Sequence, residues 1–139
     1  MIHVVAIITA KPGKREEILT HFRANVPACR AEKGCIEYGP AVDAENALAL
    51  QTRVGPDTFL VVEKWESMDA LKAHAAAPHM AAYAAMVKDS IAGRTVHILQ
   101  PDPSTMGGIF RTRMVCAMAD ANYAVVAPHQ AQRIGKTGH

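Results

Sequence analysis

The spacing of hydrophobic and polar residues changes several times along the chain. Residues 2–9 are a crowded β-branched run, which predicts a buried strand ended by Lys11-Pro-Gly-Lys14. From about residue 14 to 32 the apolar positions Ile18, Phe22 and Val26 recur every four residues, with Leu19 and Cys29 beside them, predicting an amphipathic helix. Glu16 and Glu17 fall in its first turn, where the helix dipole favours acids. Pro27 should kink this helix or end its regular part, and Gly34 is placed to cap it. Residues 35–42 read as a second strand, with Gly39-Pro40 the place for a bulge. Residues 48–53 could form a short strand before the turn Gly55-Pro56-Asp57. Residues 58–66 alternate cleanly, with Phe59, Val61, Glu63 and Trp65 on one face and Leu60, Val62 and Lys64 on the other. Ser67 caps a predicted helix over 68–76, and Pro78 opens another that reaches about residue 92, where Gly93 stops it. The inner stripe of that helix would be His79, Tyr83, Met86 or Val87, and Ile91. Residues 94–100 form a last strand, with Val96 and Ile98 on one face and His97 on the other. Strand, helix, strand, strand, helix pair, strand is the βαββαβ order of a ferredoxin-like α+β sandwich. Helices on one face of such a sheet leave the other bare, and a bare apolar face is expected to pair with a second copy.

Composition narrows this picture. The chain has 139 residues, room for one ordinary domain rather than two. Half are hydrophobic, but 25 are alanine, so the core is modest. No apolar run approaches the roughly 20 residues that span a bilayer. The apolar start lacks a basic leader and runs straight into charged residues 11–17, the wrong order for a signal peptide. Cys29, Cys35 and Cys116 are odd in number and form no CxxC, so neither a disulfide framework nor a zinc site is expected, and a reducing cytoplasm fits better. Residues 1–100 hold 11 Lys/Arg and 11 Asp/Glu, whereas residues 101–139 hold four and two. The net charge of +2 therefore lies wholly in the last stretch, with no basic face for nucleic acid.

Candidate chemistry concentrates in residues 62–80. Glu63 and Trp65 share a strand face, and Leu71 and His74, three apart, share a helix face. The reversal between strand and helix can bring these faces together. Glu63, Trp65, His74 and His79 are then expected to line one cavity, with Tyr83 a turn beyond His79. An apolar wall with a few convergent polar groups suits a small aromatic ligand. A carboxylate beside an imidazole could tune it as a base near neutral pH. The plainer reading of the same residues is a core tryptophan, a half-exposed glutamate and a packed histidine. A metal is not expected, because His74 and His79 are five apart with Pro78 between them, and helical ligand pairs want three or four. His3, His21, His97, His129 and His139 form no visible cluster.

The ordered set Ala10-Lys-Pro-Gly-Lys-Arg-Glu-Glu17, Ala31-Glu-Lys-Gly-Cys35, Glu63-Lys-Trp-Glu-Ser67, Ala70-Leu71, His74 and Pro78-His79-Met80 resembles the antibiotic biosynthesis monooxygenase family, close to its quinol monooxygenase-like members. The likeness spans about residues 2–99. It implies a homodimeric α+β barrel in which two ferredoxin-like units pack sheet to sheet, with a pocket in each between sheet and helices. It also implies oxidation of a small quinol, phenol or polyphenol by O2, without metal, flavin or haem. The deprotonated ring would pass an electron to O2, and the protein would hold the ring, remove a proton and exclude water. By position Trp65 would form the ring wall and Glu63 would orient or share a proton. His74 or His79 would be the base, His74 being favoured because the family pattern has a histidine there. Substrate binding would fall to Trp65, His79, Tyr83 and Leu71. Haem-degrading relatives carry an asparagine on the first strand, which here reads His3-Val-Val-Ala-Ile-Ile8. Met80 stands where relatives often have an aromatic, and the stretch between Asp43 and Phe59 is longer than usual. A different enzyme on this scaffold, a haem degrader or an isomerase, and a non-catalytic binding or stress-response module are the alternatives.

The family likeness ends near Leu99. The expected division is a ferredoxin-like domain over 1–100 and an extension over 101–139, with Pro101-Asp-Pro103 as the boundary. Phe110, Met114 and Met118 could share a helix face, and residues 122–127 could equally be a strand. The extension reads either as a weakly ordered tail or as an arm over the partner or pocket, with Arg111 and Arg113 able to meet acidic groups.

Overall fold

The computed structural model describes residues 1–105. The chain divides into two compact units, Met1–Pro101 and Asp102–His139. Of the second, only the start is described, with a 3-10 turn at Pro103–Thr105. The readings at Phe110, Arg111, Arg113, Met114, Met118 and residues 122–127 lie outside the described residues.

The first unit is a four-stranded antiparallel sheet with helices on one face. Its strands are β1 (Ile2–Ala10), β2 (Cys35–Ala41), β3 (Thr58–Trp65) and β4 (Ile91–Leu99), in the spatial order β2-β3-β1-β4. The helices are α1 (Arg15–Arg30), α2 (Met68–Ala75) and α3 (Pro78–Val87). This is the ferredoxin-like arrangement expected from the pattern. The most β-branched segment became a central strand, paired on both edges. Val4, Ala6, Ile8 and Ala10 of β1 and Phe59, Val61, Glu63 and Trp65 of β3 are buried against the helices, as strand alternation requires. Ile18, Leu19, Phe22 and Cys29 close the core from α1. No helix among the described residues is long and apolar enough to cross a membrane.

Several expectations are corrected. Pro27 does not break α1, which runs on to Arg30. The carbonyl that Pro27 leaves unpaired is that of Arg23, which is exposed, so water can satisfy it. Ala31, in right-handed helical geometry, caps α1 instead of Gly34. Gly34 has a different task. Its φ is +85°, and a Cβ there would meet the Ala70 Cβ at 2.6 Å. The missing side chain lets the start of α2 settle on the α1–β2 turn, with the Ser67 hydroxyl accepting from the Ala70 N–H at 3.1 Å.

The bulge in β2 lies between Cys35 and Glu37, where the register with β3 shifts, and not at Gly39-Pro40. Residues 48–53 form no strand. Leu48 and Leu50 are exposed, and the loop is closed by Asp43, whose two carboxylate oxygens each accept a backbone N–H, from Val54 and Gly55, at 2.9 Å. Helix α3 ends at Val87, five residues before the expected stop, and β4 starts at Ile91. The free edge of β1 explains this: the Lys11 N–H donates to the Ser90 carbonyl at 2.8 Å, and Ile91 pairs with Ala10. Sheet pairing outbids helix propensity for those residues.

Candidate active site

A cavity of about 370 Å³ lies between the inner face of the sheet and helices α1 and α3. Val4, Ala6, Ile8 and Val61 form its floor, and Phe22, Met80, Tyr83 and Val87 its roof. The wall also includes Tyr38 from β2, Glu63 from β3, Lys88 from the 3-10 turn Lys88–Ser90, and Arg94 and Val96 from β4. Its volume and mostly apolar lining are those of a small-molecule site.

Glu63 is the sole carboxylate among the described residues that line this cavity. It is 7 % exposed. Burial pushes its pKa above the ordinary glutamate value, and the nearby Glu32 charge adds to the rise. The Trp65 indole N–H, which donates to Glu63 Oε2 at 2.7 Å, and the His74 ring oppose it. Glu63 and Trp65 meet because they stand two apart on β3, on the same face. The two phenols in the wall stay protonated: burial raises Tyr38 and pushes Tyr83 up to about 12. The Tyr38 hydroxyl is engaged by the Cys29 thiol.

Behind this wall lies a second polar cluster. His74 is 4 % exposed, its ring 4.6 Å from that of Trp65 and edge-on to Tyr38 at 5.3 Å. Its Nδ1 lies 3.0 and 3.2 Å from the two carboxylate oxygens of Glu32. Glu32 Oε1 also lies 2.7 Å from His79 Nε2, close enough for a charge contact but out of line for a hydrogen bond. His79 Nδ1 faces Asn25 Oδ1 at 3.1 Å. Helices α1, α2 and α3 are thus tied together at the α1 terminus by one carboxylate and two imidazoles.

The expectation that Glu63, Trp65, His74 and His79 share one cavity is therefore corrected. Glu63 and Tyr83 line it. Trp65 is fully buried and meets the cavity only through Glu63. His74 and Leu71 pack behind the wall, and His79 faces a separate shallow cleft between α1 and α3. Helix α2 is short and lies at the Trp65 end of β3, so its inner face covers the tryptophan and does not reach the pocket. Sequence reasoning missed Tyr38, whose inward parity the bulge disguises, and Lys88 and Arg94, which it assigned to a longer helix and a later strand. It also missed Glu32, read only as a helix terminus.

Three potential metal-ligand atoms, from Cys29, Glu32 and His79, lie within 4.8 Å of one another. Two of the three have another occupation, while His79 Nε2 has no hydrogen-bond partner. Burial pushes the Cys29 thiol up to about 11, it contacts Met80 Sδ at 3.8 Å, and Glu32 is engaged by His74. A metal there would have to bind the deprotonated Cys29 thiol, a form that burial disfavours.

Fold and pocket together define a ferredoxin-like α+β unit built around one buried carboxylate in an apolar cavity. The sequence profile of the family "Antibiotic biosynthesis monooxygenase" matches residues 1–86, more than half of the chain, and the chain belongs to this family. It is 38 % identical over 103 residues to "Probable quinol monooxygenase YgiN" of Escherichia coli (strain K12), covering 73 % of this chain and 98 % of that one. Among solved structures, PA3566 from Pseudomonas aeruginosa superposes with a TM-score of 0.60 at 25 % identity, over 73 % of this chain and 93 % of the other. Rv0793 from Mycobacterium tuberculosis gives 0.60 at 24 % identity, over 76 % and 98 %, a likeness of fold. A second profile, "Enolase C-terminal domain-like", matches residues 76–138. Its described part includes α3 and β4, which belong to the ferredoxin-like sheet unit.

Proposed function

We propose that the protein is a monooxygenase of a small quinol, phenol or polyphenol that uses O2, with Glu63 as the base. The observation that carries this is the buried Glu63 carboxylate in the wall of a mostly apolar cavity of aromatic size. The name of the Escherichia coli relative supports the substrate class. A bound ring would lie between the apolar floor and Tyr83, with one hydroxyl toward Glu63. Burial makes this carboxylate a stronger base than glutamate in water, so it takes the hydroxyl proton. The resulting quinolate passes one electron to O2, and the two radicals combine at a ring carbon. The ring hydroperoxide then loses water: one oxygen stays as the new carbonyl and the other leaves. The substrate itself supplies the electrons, and the protein holds the ring, accepts the proton and keeps water out.

Trp65 acts through its hydrogen bond to Glu63, and His74 holds Trp65 by packing. This moves the base from His74, favoured in the sequence, to the group that reaches the cavity. The test is O2 uptake by the purified protein with a panel of quinols, compared with Glu63→Gln. Uptake that falls at least 100-fold in the variant supports the proposal. Quinol binding without any uptake would make the protein a sequestering module instead.

The assembly follows from the opposite face of the sheet. Val5, Ile7, Leu60 and Val62 alternate with the core residues and remain half-buried, an apolar surface suited to a second copy. A homodimer is the assembly we propose, to be read by light scattering of the wild type against Val62→Glu. A reducing cytoplasm is the compartment we propose, where thiols such as Cys29 and Cys35 stay free. Residues 101–139 are proposed as an extension outside the catalytic unit.

A further inference from the structure

Lys88 and Arg94 are the features that a neutral quinol leaves unexplained. Both line the cavity, and both are exposed, so they stand at its mouth. Arg94 pairs with Ile8 in the antiparallel register of β1 and β4. Directly paired residues share a sheet face, and Ile8 is buried beneath the helices, so Arg94 is on the pocket side. Lys88 follows Val87, itself part of the roof. Among the described residues neither cation has a carboxylate within ion-pair distance; the ion pairs there engage Lys14, Arg23, Lys64, His74 and His79. Asp89, next to Lys88 in sequence, does not line the cavity.

The negative group of the cavity lies at its other end. Glu63 pairs with Val4 of β1, and Arg94 with Ile8 of the same strand. Four residues of strand are about 13 Å, and two strand spacings are about 10 Å across, so the two backbones stand roughly 16 Å apart. Between them runs the apolar floor from Val4 to Ile8, so the two groups hold opposite ends of the cavity.

Resting on the monooxygenase reading of this site, we propose that the preferred substrate is a quinol bearing a carboxylate. The carboxylate docks on Arg94 and Lys88 at the mouth, and the reacting hydroxyl points to Glu63. A neutral ring gains only a weak cation–π contact from the two cations, whereas a carboxylate forms charge-assisted hydrogen bonds with them. The arrangement also fixes orientation, because the reversed pose would set the substrate carboxylate against Glu63. Positive charge at the mouth further favours the quinolate formed on deprotonation.

The probes are naphthohydroquinone and its carboxylated counterpart, dihydroxynaphthoate. O2 uptake gives kcat and KM for each, and anaerobic calorimetry gives binding to the full-length protein. The readout is the acid-to-neutral ratio. We expect the wild type to favour the acid at least tenfold in kcat/KM, mainly through KM. Arg94→Ala should reduce that ratio about tenfold, Arg94→Lys should restore part of it, and Lys88→Ala should act more weakly in the same direction. Circular dichroism of each variant checks the fold. Oxidation of both quinols at similar kcat/KM, or a ratio unchanged in Arg94→Ala, overturns this inference and leaves the monooxygenase reading standing. Arg94-dependent binding of the acid with no O2 uptake overturns that reading and leaves the anion site standing. Failure to bind either probe overturns this inference, and the quinol panel then decides the monooxygenase reading.

Discussion

The unit holds two buried or half-buried glutamates in opposite settings, and the contrast separates chemistry from architecture. Glu63 faces the cavity with a single hydrogen-bond donor, the Trp65 indole, and burial raises its pKa. Glu32 sits between His74 and His79 and joins three helices. A carboxylate surrounded by partners is held in place. One with a single neutral donor and a cavity in front of it is free to exchange a proton with whatever enters. His74 stands between the two, bonded to Glu32 on one side and packed at a tilt on Trp65 on the other. It couples the scaffold to the site without touching the cavity.

Substitutions can break or sharpen this contrast. The largest effect is expected from Glu63→Gln, which keeps the size of the side chain and removes the base. O2 uptake should fall by about 10²–10⁴, the usual worth of a general base. The same variant should be more stable at neutral pH. Because the folded state raises the Glu63 pKa, it holds that proton more tightly than the unfolded chain. Stability is therefore lost as pH climbs from the ordinary glutamate value through the raised one, and a glutamine escapes that loss. A thermal melt at neutral pH above that of the wild type, paired with lost activity, would mark Glu63 as kept for function.

Gly34→Ala should come next, and its effect is on stability. The positive φ and the 2.6 Å approach to the Ala70 Cβ leave no room for a methyl, so a cost of about 2 kcal/mol or more is expected in urea unfolding. That substitution would loosen α2 from the α1–β2 turn and with it the Glu32–His74 contact. Trp65→Phe should act on both activity and stability, since the smaller ring leaves a cavity where Trp65 is fully buried. It removes the donor that lowers the Glu63 pKa, so the acidic limb of the pH–rate profile should move upward, with a several-fold loss at neutral pH.

Glu32→Gln should do the reverse and more weakly. Its charge helps to raise Glu63, so the limb should shift slightly down, while the melting temperature drops as the helix tie weakens. His74→Phe keeps a ring against Trp65 but removes a charge that lowers the Glu63 pKa, so the limb should shift modestly upward with little loss of rate above it. A large loss there, with the fold intact, would return the role of base to the histidine.

The sheet and its helices were legible because their signals are local. The β-branched run of β1, the four-residue repeat of α1 and the strict alternation of β3 each name an element and its buried face. What was misread depends on partners distant in sequence. Ile91 to Gly93 look helical until β1 offers them an edge, and residues 48–53 look like a strand until no neighbour pairs with them. The site was half legible for the same reason. Glu63 and Trp65 lie two apart on one strand, so parity alone joins them. Whether His74 reaches the cavity depends on where α2 lands, and that is set by Gly34 and Ala70 touching across the fold. Tyr38 was hidden by a one-residue shift in β2. Lys88 and Arg94 reach the mouth only because α3 stops early.

The most direct measurement is the pH dependence of kcat/KM for quinol oxidation, in the wild type and in Glu63→Gln. Wild-type activity should rise with a single ionisation above the ordinary glutamate pKa, and that limb should vanish with the activity in the variant. A Glu63→Gln enzyme that keeps both its rate and its pH profile would show that the buried carboxylate is not the base.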